Sequence, residues 1–265
     1  MSRFRVQPKI GYLDRLKRIY GYIRKFPDAY IRIRTGIPDL PNTTQAPQDW
    51  SHSVYGNVRE QIPSDAPKPQ GNPVVTLSYV DANLYHDYVN GRALTGILHF
   101  VNGTPIAWFS KRQATVETAT YGSEFVAAKI ATEQIIDLRN TLQYLGVPLV
   151  TMSQASLSGS TQPVPSYLFG DNRSVITSST IPHSALNKRH IALAYHKVRE
   201  SIAAGILNFI HIDGKSNPSD VLSKHCGFQQ AYPILQPLLF WKGDPIKRNN
   251  DSKHNNYDHT RGAGE

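Results

Sequence analysis

The sequence predicts an α/β protein: a mixed five-stranded sheet flanked by helices, with a helix–strand extension at its N-terminus. Three observations point there. Between residues 73 and 240 the periodic segments run as three strands, a long helix, a strand, helices, a strand and a helix, an order that calls for helices packed on a mixed sheet. Asn102-Gly103 sits between two apolar runs, a strong hairpin signal. Positions 124, 128, 131, 135, 138, 142 and 145 fall on one helical face and are apolar at all but the first.

Each element follows in order. Residues 11–25 read as a helix, with Leu13, Leu16, Ile19, Tyr20 and Ile23 on one stripe. Residues 29–34, AYIRIR, alternate as a strand does. Residues 36–72 hold six prolines among polar residues and read as an extended linker. Strands are expected at 74–81, 95–101 and 104–110, with a turn at Gly91. A helix over about 120–145 ends at Gly146, and a polar loop leads to a strand at 166–170. A short helix from 172, a helix over 191–204 ended by Gly205, and a strand at 206–212 come next. Pro218 starts a short helix, 228–239 forms another, and the polar residues 241–265 read as an unstructured tail.

Composition narrows the function classes. One cysteine, Cys226, excludes an internal disulfide framework and a cysteine-based zinc site. No apolar run reaches the length of a membrane span. The Arg-rich start lacks the serine richness of a transit peptide and contains Pro8 and Asp14, so targeting is the weaker reading. The formal charge is +9, and residues 1–35 contribute ten basic residues against two acids. A basic arm on a near-neutral domain reads either as a phosphate-binding element or as a solvated helix face.

Four carboxylates stand out. Asp81 and Asp171 each end a predicted strand, so parallel neighbours would bring both to one edge of the sheet, where open α/β sheets bind ligands. Glu124 is the one charge on the apolar helical stripe, and an unpaired carboxylate there is costly without a partner, a metal or a proton. Asp220 lies at the third position of a helix begun by Pro218 and capped by Asn217. Singly, each acid has an ordinary explanation as a cap, a turn residue or a dipole partner. Together they form an oxygen-only ligand set that favours magnesium or manganese. Two such ions about 4 Å apart activate water and stabilise a leaving oxygen at a phosphodiester.

The segments YVDANLYHD, TGILHFVNGTPIAWFSKRQATVETATYGSEFVAA, LRNTLQYLGV, FGDNRSVI, KRHIALAYHKVRE and NPSDVLSKH cover most of residues 74–225. In wording and order they resemble the end of a copia-type LTR retrotransposon polyprotein, where the reverse transcriptase meets its ribonuclease H domain. The stretch YLDRLKRIYGYIRKFPDAYIRIR is similar to the last helix and strand of that family's polymerase region. The resemblance implies a ribonuclease H-like fold over 73–240, cleavage of RNA in RNA–DNA hybrids, and two magnesium ions, with manganese as a substitute. It implies that Asp81, Glu124, Asp171 and Asp220 are the metal-binding catalytic acids. It makes the rest of the reverse transcriptase a partner and places the protein in cytoplasmic particles, with the nucleus as the alternative.

Tyr79-Val80-Asp81-Ala82 is three quarters of a polymerase Tyr-x-Asp-Asp signature, but no Asp-Asp pair occurs in the chain, so polymerase activity is not expected. Candidate contacts to phosphates and 2′-hydroxyls are Ser110, Lys111, Arg112, Gln113, Asn172, Arg173, Lys188, Arg189 and His190. The chain departs from the pattern in two places. Residues 214–219 lack the mobile histidine that many enzymes of this fold carry before the last acid, and 150–164 exceeds the usual connection. Two other readings remain open: a nucleic-acid-binding fragment without catalysis, and an integrase core. The last is disfavoured because its acids end in Glu, whereas these end in Asp220.

Overall fold

The computed structural model describes residues 10–27, 30–38, 40, 48–56, 58–149, 165–186 and 188–239. The expected loop at 150–164 and tail at 241–265 lie outside them. The chain divides into two units, 1–32 with 232–265, and 33–231.

In the smaller unit, helix α1 (Ile10–Lys25) forms where the stripe predicts it, and none of its residues is buried. The Tyr22 and Phe26 rings meet at a tilt, their centres 5.0 Å apart. The strand expected at 29–34 is not formed. Among the described residues 30–34 its only ladder contact is an isolated antiparallel bridge between Ile31 and Leu239, because a lone alternating segment has no sheet to extend.

The larger unit holds the five-stranded sheet. Its strands are β1 (Thr76–Asp87), β2 (Arg92–Val101), β3 (Thr104–Arg112), β4 (Ser166–Gly170) and β5 (Leu207–His211). Their spatial order is β3-β2-β1-β4-β5. The first three are antiparallel, and β4 and β5 join parallel to β1. This is the mixed ribonuclease H-like sheet that the resemblance implies. Asn102 and Gly103 both take positive φ, 49° and 77°, as the tight turn between β2 and β3 requires.

Helix α2 (Thr120–Tyr144) lies on the face carrying Val80, Ala82 and Ile97, with Phe125, Ala128, Ala131 and Ile135 against them. Helices α3 (Arg173–Thr180) and α4 (Ala192–Ala203) complete that layer through Val175, Ile176, Tyr195 and Val198. On the other face Tyr79 stacks on Phe169 at 5.0 Å and meets Phe100 edge-on. There α5 (Asp220–Ser223) sits against β2. Helix α6 (Phe228–Leu235) comes next in the chain and runs across the boundary between the two units.

Two expectations change. The apolar stripe of α2 holds through Ile135, but beyond it Arg139 and Gln143 are buried while Leu145 is 71% exposed. A straight helix has 3.6 residues per turn, so burial drifts off a strict seven-residue repeat. The stretch read as a linker also packs. Trp50 and Tyr55 are buried beside Arg199, Tyr55 Oη lies 2.8 Å from His196 Nδ1, and Glu60 forms a bidentate pair with Arg139 at 2.5–2.6 Å. Arg139 Nη1 also donates to Ser166 Oγ at 3.0 Å, so this segment is fastened to both α2 and β4.

Candidate metal centre

The parallel register of β1 and β4 builds the site. Leu77 pairs with Tyr167 and Tyr79 with Phe169, so two residues further on Asp81 and Asp171 come level. β4 ends at Gly170, whereas β1 runs on to Asp87. Asp81 therefore stands not at a strand end, as expected, but inside β1 where it outlasts its parallel neighbour. It remains paired with β2, opposite Gly96.

Glu124 reaches the same point from the fifth residue of α2, just past its first turn rather than within it. Among the described residues, Asp81, Glu124 and Asp171 each offer a carboxylate oxygen, and the three lie within 4.8 Å of one another. This acidic triad is able to coordinate a divalent metal ion. Burial pushes the Glu124 carboxyl well above its ordinary range, and the charges of Asp81 and Asp171 push it further. Burial and then Asp81 raise Asp171 in the same direction. A hard cation relieves both penalties at once, so the donor chemistry fits magnesium or manganese.

Asp220 stands outside this triad and joins it through a cation. Lys224 Nζ donates to Asp220 Oδ1 at 2.8 Å and to Asp81 Oδ1 at 3.2 Å. The other Asp81 oxygen accepts from Ser223 Oγ. Burial raises the Asp220 pKa, opposed mainly by its hydrogen bond to Lys224. The acids in turn hold the Lys224 ammonium above its ordinary pKa despite its partial burial.

The turn carrying Asp220 is fixed locally. Asn217, fully buried, accepts from Ser219 N and Oγ at 3.1 and 2.6 Å. Asp220 is the first residue of α5 rather than its third, with Pro218 and Ser219 in the preceding turn. Gly96 lets that turn sit close: a Cβ there would meet Ser219 O at 2.7 Å and Ser223 N at 2.9 Å.

The predicted contact residues fare unevenly. Ser110, Lys111, Arg173, Arg189 and His190 are exposed. Ser110 Oγ donates to Leu222 O at 2.6 Å, Arg173 Nε to His211 Nε2 at 3.3 Å, and His190 Nε2 lies 2.8 Å from Glu117 Oε2. Lys188 lies 5.9 Å from the Tyr121 ring centre, and Arg112 pairs with Asp87. Asn172 caps α3 by accepting from Val175 N at 3.2 Å. Gln113 is buried, and its amide donates to Thr95 Oγ1 and Ser123 O. Its amide therefore braces the start of α2, because its position follows the end of β3 inward.

Sequence reasoning passed over Ser223, Lys224 and the buried Glu117. Lys224 carried a signal, four residues after Asp220 on one helical face. Its second partner, Asp81, is 143 positions earlier and carried none.

No protein-family model matches the chain. The chain is 29% identical over 154 residues to the retrovirus-related Pol polyprotein from transposon TNT 1-94 of Nicotiana tabacum, covering 58% of this chain and 10% of that protein. It is 23% identical over 155 residues to the Pol polyprotein from transposon RE1 of Arabidopsis thaliana, with the same coverage. The chain is thus similar to retrotransposon Pol polyproteins and spans about a tenth of the length of these relatives. The crystal structure of RNase H1 from Halobacterium salinarum NRC-1 superposes with a TM-score of 0.39 at 15% identity, over 60% of this chain and 97% of that one. LC11-RNase H1, isolated from compost, gives 0.41 at 16%, over 56% and 91%. Superpositions at this level carry no argument, and the fold assignment rests on the strand order and register described above.

Proposed function

We propose that the protein is a metal-dependent endonuclease that hydrolyses the RNA strand of RNA–DNA hybrids during retrotransposon reverse transcription. The observation that carries this reading is the convergence of Asp81, Glu124 and Asp171 from three separate elements within 4.8 Å. Similarity to retrotransposon Pol polyproteins supports the setting.

On this reading the triad holds the first magnesium or manganese ion, and Asp220 with Asp81 serves a second. Bound there, the metal would acidify a water and offset charge on the phosphate. The water would give up a proton to solvent as its oxygen bonds to phosphorus, the bond from phosphorus to the leaving sugar oxygen would break, and that oxygen would take up a proton from solvent. Lys111, Arg173 and Arg189, all exposed, would meet phosphates, and hybrid shape rather than base identity would guide binding. Residues 1–35 would be the end of a polymerase region, 36–72 a connection, 73–240 the nuclease and 241–265 a tail. The remaining reverse transcriptase would be the partner, in cytoplasmic particles.

The test is cleavage of a labelled RNA–DNA hybrid by the purified chain with magnesium. Short RNA products are expected, lost with chelator and in Asp81→Asn. Unchanged cleavage in Asp81→Asn rejects this site. Salt-dependent hybrid binding without metal-dependent cleavage would instead establish the second reading, a silent nucleic-acid-binding fragment, which the basic residues 1–35 favour.

A further inference from the structure

The carboxylate pair beside the triad already has a cation, supplied by the chain. Lys224 Nζ lies between Asp220 Oδ1 and Asp81 Oδ1, at 2.8 and 3.2 Å. Asp81 is the member shared with the triad, so a second divalent ion held by Asp81 and Asp220 would have to take the oxygens that the ammonium already contacts. We infer that Lys224 is the resident occupant of the second cation position: the triad takes one ion with Lys224 in place, and a second ion binds only as Lys224 withdraws. This deepens the nuclease reading, on which the identity of the site rests.

Three features hold the lysine there. Its position four residues after Asp220 puts both on one face of α5 and beyond its end. The Ser223 hydroxyl fixes the neighbouring residue by donating to the other Asp81 oxygen. The absence of a Cβ at Gly96 sets the distance between α5 and β2. The lysine side chain nevertheless remains 40% exposed, so its stem is free to turn outward. An ammonium and a divalent ion compete for the same oxygens and repel each other at this spacing. A nucleic-acid phosphate offers Lys224 another partner, which couples substrate arrival to entry of the second ion.

Titration of the whole chain with manganese, counting bound ions from the electron paramagnetic signal of the free ion, tests this. The wild type is expected to bind one ion firmly and a second at least about tenfold more weakly. Lys224→Met should strengthen the second step by about tenfold or more and leave the first unweakened, while Lys224→Arg should keep it weak. Asp220→Asn keeps the lysine, and should abolish the second step alone. Equal isotherms for wild type and Lys224→Met, or a full second step in Asp220→Asn, overturn the assignment. Hybrid cleavage measured on the same samples separates the two readings. The expected metal pattern without cleavage rejects the nuclease alone, and cleavage with two equal ions in wild type rejects the lysine role alone.

Discussion

Asn217 donates its side-chain amide to the Val80 carbonyl at 2.9 Å, joining the turn before Asp220 to the strand position next to Asp81. Both groups are buried, so neither has water as a substitute partner. The same side chain accepts from Ser219 N and Oγ, which shapes the turn itself. One residue thus sets both the form of the last acidic turn and its distance from the first acidic strand.

Asn217→Ala should therefore act at two levels. Leaving the Val80 carbonyl unpaired costs about 1–3 kcal/mol, read as a lowered unfolding midpoint in urea. The freed turn should also weaken metal binding measured by calorimetry. A variant as stable as wild type would remove Asn217 from this role.

Gly96→Ala tests the approach of α5 to the sheet. The added methyl meets two backbone atoms, Ser219 O and Ser223 N, which have no rotamer to change. Overpacking of this kind costs about 1–3 kcal/mol and should carry Ser223 and Lys224 away from Asp81. Stability by chemical denaturation and metal affinity should fall together. Loss of neither shows that α5 yields without consequence.

The parts of this site that show in the sequence are those set by local pattern. Glu124 is visible because a charge interrupts an apolar stripe, and Asp171 because it ends a short apolar run. The hairpin at Asn102-Gly103 is visible because only a few residue types tolerate two successive positive φ angles. Arg139 is not visible. An arginine late in a helix reads as solvent-facing, and its partner Glu60 lies 79 residues away in a proline-rich stretch. Gln113 misleads for the same reason: a polar residue after an exposed strand end looks like surface until its two internal acceptors are known. Asp220 could be placed on a short helix, but its separation from the triad by a lysine depends on tertiary packing alone.

The raised carboxyls of Glu124, Asp171 and Asp220 give stability a definite pH trend. A carboxyl whose folded pKa exceeds its unfolded value contributes stability that is complete below the unfolded pKa. That contribution is lost as pH rises through the folded pKa. For Glu124 the loss begins near its ordinary 4.5 and extends upward. Lys224, also raised, keeps its contribution throughout this range and loses it only in strong alkali. The melting temperature of metal-free wild type, relative to Glu124→Gln, should therefore fall as pH increases from about 4.5. Magnesium, which binds the ionised form, should reverse the trend. A difference between the two proteins that rises with pH without metal would contradict this account.

The last prediction concerns the Glu60–Arg139 pair, whose side chains are 9% and 1% exposed. Removing one partner of such a pair leaves an uncompensated charge, a loss of about 3–5 kcal/mol. Arg139→Met strands Glu60 and deprives Ser166 Oγ of a donor, so it should show most of that loss. Glu60→Gln keeps the shape and an acceptor oxygen but removes the anion that faces the guanidinium. The double change Glu60→Gln with Arg139→Met removes both charges, and should recover much of what either single change loses. Urea unfolding of the four proteins gives the coupling directly. A positive coupling above about 1 kcal/mol is expected for groups in contact. Strict additivity would mean that the two charges contribute nothing as a pair, and that the segment is held by Trp50, Tyr55 and the backbone bonds of Glu60 to Ala204 and of Gln70 to Gly146.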